Sequence, residues 1–259
     1  MQDQDTNTER VAIVTGAGGG IGRAICVKLA AAGWTVVAAD LNAVDGEATA
    51  QQCRDAGAQA FFRSTDVTDA AQMQALVDTT QAEHGRVDGF VNNAGYEGTF
   101  ASMADYPDDV FDRVIAVNLR GVFLGLKHAL RVMQVQRSGV VVNLGSTSSI
   151  RGRKNVSAYV ASKHGVLGLT RAAALEVAGT GIRVNAVLPG PIDTAMTVKL
   201  DGLIEEAVAN GTSAGLGRNA QTPYGQPAEI AGAVAFLMSA DAAHITGTSL
   251  TVDAGSTVS

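Results

Sequence analysis

Short runs that are apolar at nearly every position alternate along this chain with longer segments whose apolar residues recur every three or four positions. Val11–Thr15, Thr35–Asp40, Ala60–Ser64, Val87–Asn92, Gly139–Leu144, Ile182–Leu188 and Ser249–Val252 read as strands. Gly20–Ala32, Ala43–Ala56, Ala70–His84, Asp108–Arg137, Val156–Ala178 and Ala228–Ser239 read as helices, the fourth with an irregularity around Asn118. A strand that is apolar on both faces must be covered on both faces, and a parallel sheet with crossover helices does this. Right-handed crossovers then give an α/β fold: a three-layer, doubly wound parallel sheet of about seven strands, of the Rossmann type.

No linker or shift in composition divides the chain, so residues 1–259 read as a single domain, with residues 1–9 a polar, mobile tail. An apolar fraction of 46% against 17% charged residues excludes a disordered chain. Nineteen Lys and Arg against 25 Asp and Glu leave a net charge of −6. That balance argues against a nucleic-acid surface. No apolar run approaches the roughly 18 residues that a bilayer requires. The start, Met1-Gln2-Asp3-Gln4-Asp5, lacks the basic and apolar stretches of a signal peptide. Cys26 and Cys53 make no disulfide framework, and no Cys/His cluster suggests a metal. The expectation is a cytoplasmic protein with reduced thiols and no nucleic-acid or membrane partner.

Pro189–Gln226 breaks the alternation. It holds a weakly patterned helix, Thr197–Asn210, and a glycine-rich stretch with Gly211, Gly215 and Gly217. A long irregular segment in a compact domain reads as a lid over a ligand, here residues 190–226; the alternative is a surface insertion without fixed structure.

The first strand runs into Thr15-Gly16-Ala17-Gly18-Gly19-Gly20-Ile21-Gly22 and then a helix. Glycines admit a pyrophosphate to the backbone, and the helix N-terminus offers free N–H groups and partial positive charge. Asp40 ends the second strand eighteen residues after Gly22, placed to accept hydrogen bonds from both ribose hydroxyls of NAD and to repel a 2′-phosphate. Neither Leu41 nor Asn42 supplies a compensating cation. Tyr159 and Lys163, four apart on a helix, share a face. A phenol of pKa near 10 is a poor base at neutral pH, and a nearby ammonium should lower that value.

Together these residues resemble the short-chain dehydrogenase/reductase family from about Arg10 to Gly255. Thr15–Gly22 matches its TGxxxGxG loop, Asn92-Asn93-Ala94-Gly95 its NNAG motif, and Tyr159–Lys163 its YxxxK pair. Asn118 falls at its catalytic asparagine, and Ser146 lies at the serine spacing, thirteen residues before Tyr159. Pro189-Gly190 and Thr194 match PGxxxT, and Asp66-Val67 resembles the pair flanking the adenine. One departure is Gly145, where the family often has a second serine.

The resemblance implies a catalytic set of Asn118, Ser146, Tyr159 and Lys163. Tyr159 would exchange the proton, Lys163 would tune it and hold the nicotinamide ribose, Ser146 would polarise the substrate oxygen, and Asn118 would hold a relay water. It implies a cofactor surface of Gly16, Gly18, Gly19, Ile21 and Gly22, then Asp40, Leu41, Asp66 and Val67, then Asn93, Ala94 and Gly95. Tyr159, Lys163, Pro189, Gly190, Ile192 and Thr194 would complete it. The activity expected is transfer of a hydride between NAD(H) and a small secondary alcohol or ketone, in a homotetramer. A 3-oxoacyl-thioester reductase and an inactive NAD-binding sensor are the alternatives.

The substrate wall is assigned to Ser148, Val156 and Met196, with Ile150, Ala195, Val198 and Leu200 as further apolar members and Thr197 as a polar one. Arg151, Arg153 and Lys154 read either as a solvated loop or as a site for an anionic substrate. Tyr96 and Glu97, just beyond the NNAG motif, read equally as a pocket rim or as plain loop.

Overall fold

A computed structural model describes residues 10–211 and 224–258. The anticipated tail and the glycines Gly215 and Gly217 lie outside the described residues. Seven parallel strands form one sheet: β1 (Arg10–Thr15), β2 (Trp34–Asp40), β3 (Ala60–Ser64), β4 (Gly89–Asn92), β5 (Gly139–Leu144), β6 (Ile182–Pro189) and β7 (Ser249–Val252). The spatial order is β3-β2-β1-β4-β5-β6-β7, so the winding direction reverses between β1 and β4. Val14 of β1 sits beside Ala38 of β2 on one side and Val91 of β4 on the other.

Helices α1 (Gly20–Ala31), α2 (Ala43–Asp55) and α3 (Ala70–His84) connect the first four strands. Then follow α4 (Asp108–Ile115), α5 (Gly121–Gln136), α6 (Ser157–Glu176), α7 (Ala195–Ala209) and α8 (Pro227–Met238). The side-chain period of two divides each strand between two cores. Ala12, Val14, Val36 and Ala38 face the α1 and α8 side, with Ile25, Leu29, Ile230 and Leu237. Val11, Ile13, Val37 and Ala39 face the α3, α5 and α6 side, with Met73, Val77, Met133 and Val166. Strands apolar at every position therefore have an apolar partner on each face, as the sequence implied.

Three details depart from the sequence-based boundaries. The fourth strand starts at Gly89 rather than Val87, because the Asp88 carboxylate takes the Val11 N–H at 2.9 Å and pairs with Arg86. The long helical segment is two helices joined by a π-helical turn, Ala116–Arg120, with Asn118 at its centre. The helix beyond β6 starts at Ala195, two residues early, because the Thr194 hydroxyl caps it by accepting the Thr197 N–H. The base of that excursion is closed where Asp193 N–H meets Gly225 C=O and Gly225 N–H meets Pro191 C=O.

Candidate active site

A winding reversal splays the loops that leave adjacent strands and opens a crevice beyond their carboxyl ends. Here a cleft of about 350 Å³ lies there, lined by the ends of β1, β4, β5 and β6 and by the first turn of α7. One end is the glycine loop. The Thr15 hydroxyl accepts the N–H groups of Asn93 and Ala94, and the Asn93 amide donates to the carbonyls of Thr15 and Gly16. These bonds fasten the loop to the end of β4. A Cβ on Gly22 would come within 2.0 Å of the Gly16 oxygen, so only glycine lets the helix pack this close. A Cβ on Gly19 would meet nothing within 4 Å, because that residue faces the cleft. The N-terminus of α1 has no side-chain cap and no acidic residue in its first turn. Its free N–H groups and unopposed partial charge fit the pyrophosphate of a dinucleotide.

At the end of β2, the Asp40 carboxylate accepts the N–H of Gly18 at 2.7 Å and of Asn42 at 2.8 Å. These bonds fix its direction. Arg23, the cation closest in sequence to the loop, is engaged with the Gly18 carbonyl, the Thr49 hydroxyl and Asp45.

At the other end stand Ser146, Tyr159 and Lys163. Ser146 leaves β5 as the N-cap of a short 3₁₀ turn, its hydroxyl accepting the Ser148 N–H. Tyr159 and Lys163 lie one turn apart on α6, the lysine Nζ 5.6 Å from the phenol ring centre. Burial pushes the Tyr159 phenol above its ordinary value; a hydrogen bond with Ser146 and the charge of Arg153 oppose the shift, and Glu97 adds to it. Lys163 is 4% exposed, donates to the Leu144 carbonyl at 2.8 Å, and is pushed down to about 8 by desolvation. In this geometry burial, not the ammonium, dominates the phenol, contrary to the sequence-based expectation.

Asn118 is fully buried in the π turn, where one extra residue per turn swings its amide toward the loop after β4. It accepts the Tyr96 N–H at 2.7 Å and donates to the Tyr96 carbonyl and the Ser162 hydroxyl. Both amide hydrogens and the Oδ1 are thus engaged with Tyr96 and Ser162. Gly95 sits between this oxygen and Lys163 Nζ.

The anticipated residues Gly16, Gly19, Ile21, Gly22, Asp40, Asn93, Ala94, Gly95, Pro189, Gly190, Ile192, Thr194 and Met196 line the cleft. Gly18 lies behind it against Asp40, and Leu41 is exposed. Asp66 stands beyond β3, its carboxylate bonded to Thr68, and Val67 packs under Gly121. Ser148 and Val156 are buried outside the lining, the Ser148 hydroxyl without a hydrogen-bond partner among the described residues. Thr197 and Ala195 line the cleft instead. Arg151 donates to the Ser256 carbonyl at 2.8 Å, away from Tyr159.

The short chain dehydrogenase family model matches residues 10–202. Levodione reductase of Leifsonia aquatica is 42% identical over 96% of this chain and 94% of its own. Cis-4-hydroxycyclohexanecarboxylate dehydrogenase of Sinomonas cyclohexanicum is 42% identical over 96% and 97%. Among solved structures, levodione reductase superposes with a TM-score of 0.90 at 41% identity, covering 97% of this chain and 99% of that one. An actinorhodin polyketide ketoreductase with NADPH gives 0.87 at 36%, covering 95% and 97%. An NAD⁺-bound xylitol dehydrogenase gives 0.86 at 33%, covering 96% and 100%. With its sheet order, glycine cradle and Ser–Tyr–Lys end wall, the chain belongs to the short-chain dehydrogenases, a family of nicotinamide-dependent oxidoreductases.

Proposed function

We propose that this protein is an NAD(H)-dependent dehydrogenase or carbonyl reductase acting on a secondary alcohol or its ketone, with Tyr159 as the acid/base. The observation that carries this is one cleft with an uncapped helix N-terminus at one end and Ser146, Tyr159 and Lys163 at the other. The nicotinamide, when bound, supplies the hydride or accepts it. Ser146 and Tyr159 present two hydroxyls to the substrate oxygen, where negative charge develops as a ketone is reduced. Tyr159 gives that oxygen a proton in reduction and takes it back in oxidation. Lys163, held by the Leu144 carbonyl beside the phenol ring, would offset a phenolate charge and hold the nicotinamide ribose. Asn118 holds the loop beneath them through Tyr96.

Asp40 supports NAD over NADP. A carboxylate fixed by two N–H groups cannot turn away from a 2′-phosphate, and Arg23 is already engaged. The two reduced, buried thiols suit a cytoplasmic setting. The first turn of α7, with Ala195 and Met196, gives the substrate end an apolar wall. The cyclohexane ring in one relative's name supports a cyclic alcohol or ketone, and the apolar wall favours a neutral one, whereas the carboxylate in that same name favours an anionic one. A second reading, an NADPH-dependent ketoreductase of thioester substrates, draws support from the likeness to the polyketide enzyme.

The test is kcat/KM for NAD and NADP across cyclic alcohols, thioester ketones and matched carboxylate-bearing alcohols, with Asp40→Ala. The expected result is a strong NAD preference, on the order of a hundredfold or more, that Asp40→Ala erodes. Comparable values for the two cofactors sink the NAD assignment. A carboxylate preference above about tenfold, lost in Arg153→Ala, sinks the neutral-substrate assignment.

A further inference from the structure

Glu97 is a buried carboxylate that the catalytic set does not use. It is 7% exposed, and its ion-pair partner lies on a different element: Lys199 of α7, with Nζ 3.3 Å from the carboxylate. A carboxylate withdrawn from water in this way depends on its counter-ion. The same Nζ stands 5.5 Å from the centre of the Tyr96 ring, a second favourable contact for the cation.

The platform beneath this lysine is fixed. Asn118, fully buried, holds Tyr96 at its N–H and its C=O. On the other side of Glu97 the chain turns at Gly98, whose φ is 79°. A Cβ there would come within 2.4 Å of the Tyr106 hydroxyl, so the loop is packed tight. The helix above is held differently. None of the residues of α7 is buried, and Val198 is 65% exposed, so apolar burial does not fasten it. The Thr197 hydroxyl donates to the Ile192 carbonyl and the Tyr224 hydroxyl to Asp201, both within the excursion that carries the helix. Lys199 reaches out of that excursion to the loop after β4. A helix with so little buried surface belongs to the readily opened part of a fold.

We propose that Glu97 is a positioning residue for the substrate: through Lys199 it seats α7, and with it Ala195, Met196 and Thr197, at the substrate end of the cleft. Lifting α7 separates the ion pair, so the pair biases the helix toward the seated position. Its contribution falls on substrate affinity and not on the hydride step. This deepens the reading above and rests on α7 forming the substrate wall.

The test compares the enzyme with Lys199→Met, Glu97→Gln, the double variant and Lys199→Arg, by two readouts. The first is KM and kcat for the alcohol at saturating cofactor. The second needs no turnover: amide hydrogen exchange of residues 195–209 in the cofactor-free protein. Lys199→Met should raise KM about three- to tenfold as the seated fraction falls, with kcat within about twofold of the parent and faster exchange in α7. Glu97→Gln should shift both readouts in the same direction. The double variant should have a lower KM than Lys199→Met, because an amide at position 97 needs no counter-ion. Lys199→Arg, which keeps the charge, should behave like the parent. If Lys199 touched the substrate itself, its loss would cost the same with or without the Glu97 carboxylate and α7 exchange would stay unmoved; that result overturns the proposal. A fall in kcat with faster exchange throughout the molecule marks general loosening and also overturns it. If Glu97→Gln fails to fold, Lys199, with its side chain 57% exposed, still decides through the Met and Arg variants. A parent inactive on every secondary alcohol defeats the proposed function, while α7 exchange still judges the latch. Unmoved KM and exchange in an active enzyme defeat the latch alone.

Discussion

At the scale of single residues, the catalytic end combines two groups displaced from their ordinary behaviour by the same burial. The phenol of Tyr159 is pushed up and the ammonium of Lys163 down to about 8. Tyr159→Phe removes the proton donor and little else, so turnover should fall on the order of a hundred- to ten-thousand-fold while NAD affinity, read by fluorescence quenching, changes little. Lys163 carries a cost in stability that function explains. Between about pH 8 and 10.5 the unfolded chain holds more protons at this lysine than the folded one, so stability rises with pH across that window. Lys163→Met, of similar length and without charge, removes the cost. Its advantage should be full below about pH 8 and fade toward 10.5. The Leu144 carbonyl loses its donor in exchange, a loss of about 1 kcal/mol. A net gain of about 1–2 kcal/mol should raise the Tm of the cofactor-free protein by about 2–8 °C near neutral pH, with activity lost. A lower Tm at neutral pH, or an advantage that grows toward pH 10, contradicts the desolvation account.

At the scale of elements, two glycines of one loop serve different ends. Gly22 is needed for packing: an added Cβ meets the Gly16 oxygen at 2.0 Å and the Asn93 amide at 2.6 Å, so Gly22→Ala must displace α1 or the loop. Gly19 has extended backbone and open space, so Gly19→Ala folds normally and intrudes on the cleft alone. Thermal melts and NAD titrations should separate them: Gly22→Ala loses about 2 kcal/mol or more of stability along with cofactor binding, whereas Gly19→Ala keeps its Tm and raises KM for NAD. Equal melting losses would refute the distinction. The loop was legible in the sequence because a strand, a glycine run and a helix are all local signals. The sheet was legible because its strands are apolar on both faces. Less local features were not. The π turn showed only as an irregularity at Asn118, since one inserted residue shifts a periodic pattern without erasing it. The start of α7 was hidden because Thr194, its cap, had already been assigned to a cofactor motif. Glu97 could not be told from loop, because its ion-pair partner, Lys199, lies about a hundred residues away.

At the scale of the whole molecule, the unfinished surfaces point to self-association. On α6, Ala161, His164, Gly168, Ala172 and Leu175 recur every three or four residues and all are exposed; Leu175 is 79% exposed, and a Cβ on Gly168 would meet nothing within 4 Å. This stripe of mainly small and apolar residues leaves room for the backbone of another helix to approach closely. Beside it, Phe123 of α5 and Phe111 of α4 are also exposed. A separate surface lies at the opposite end of the sheet order from β3, where β7 is half-exposed along its length and Phe236 of α8 stands out. Two distinct patches, each pairing with its own copy, would generate a closed tetramer of dihedral symmetry, the homotetramer that the family resemblance implies. The expected outcome in sedimentation or light scattering is a particle of four 26.5 kDa chains. Gly168→Trp fills the groove of the α6 stripe and Leu175→Glu places a charge within it, so each should yield dimers held by the β7–α8 surface. Phe236→Glu should yield dimers held by α5 and α6, and combining it with Leu175→Glu should yield monomers. Each single variant alters exposed side chains, so circular dichroism should remain that of the parent. A monomeric parent, or a tetramer that survives Gly168→Trp and Leu175→Glu, shows that the α6 stripe is ordinary surface.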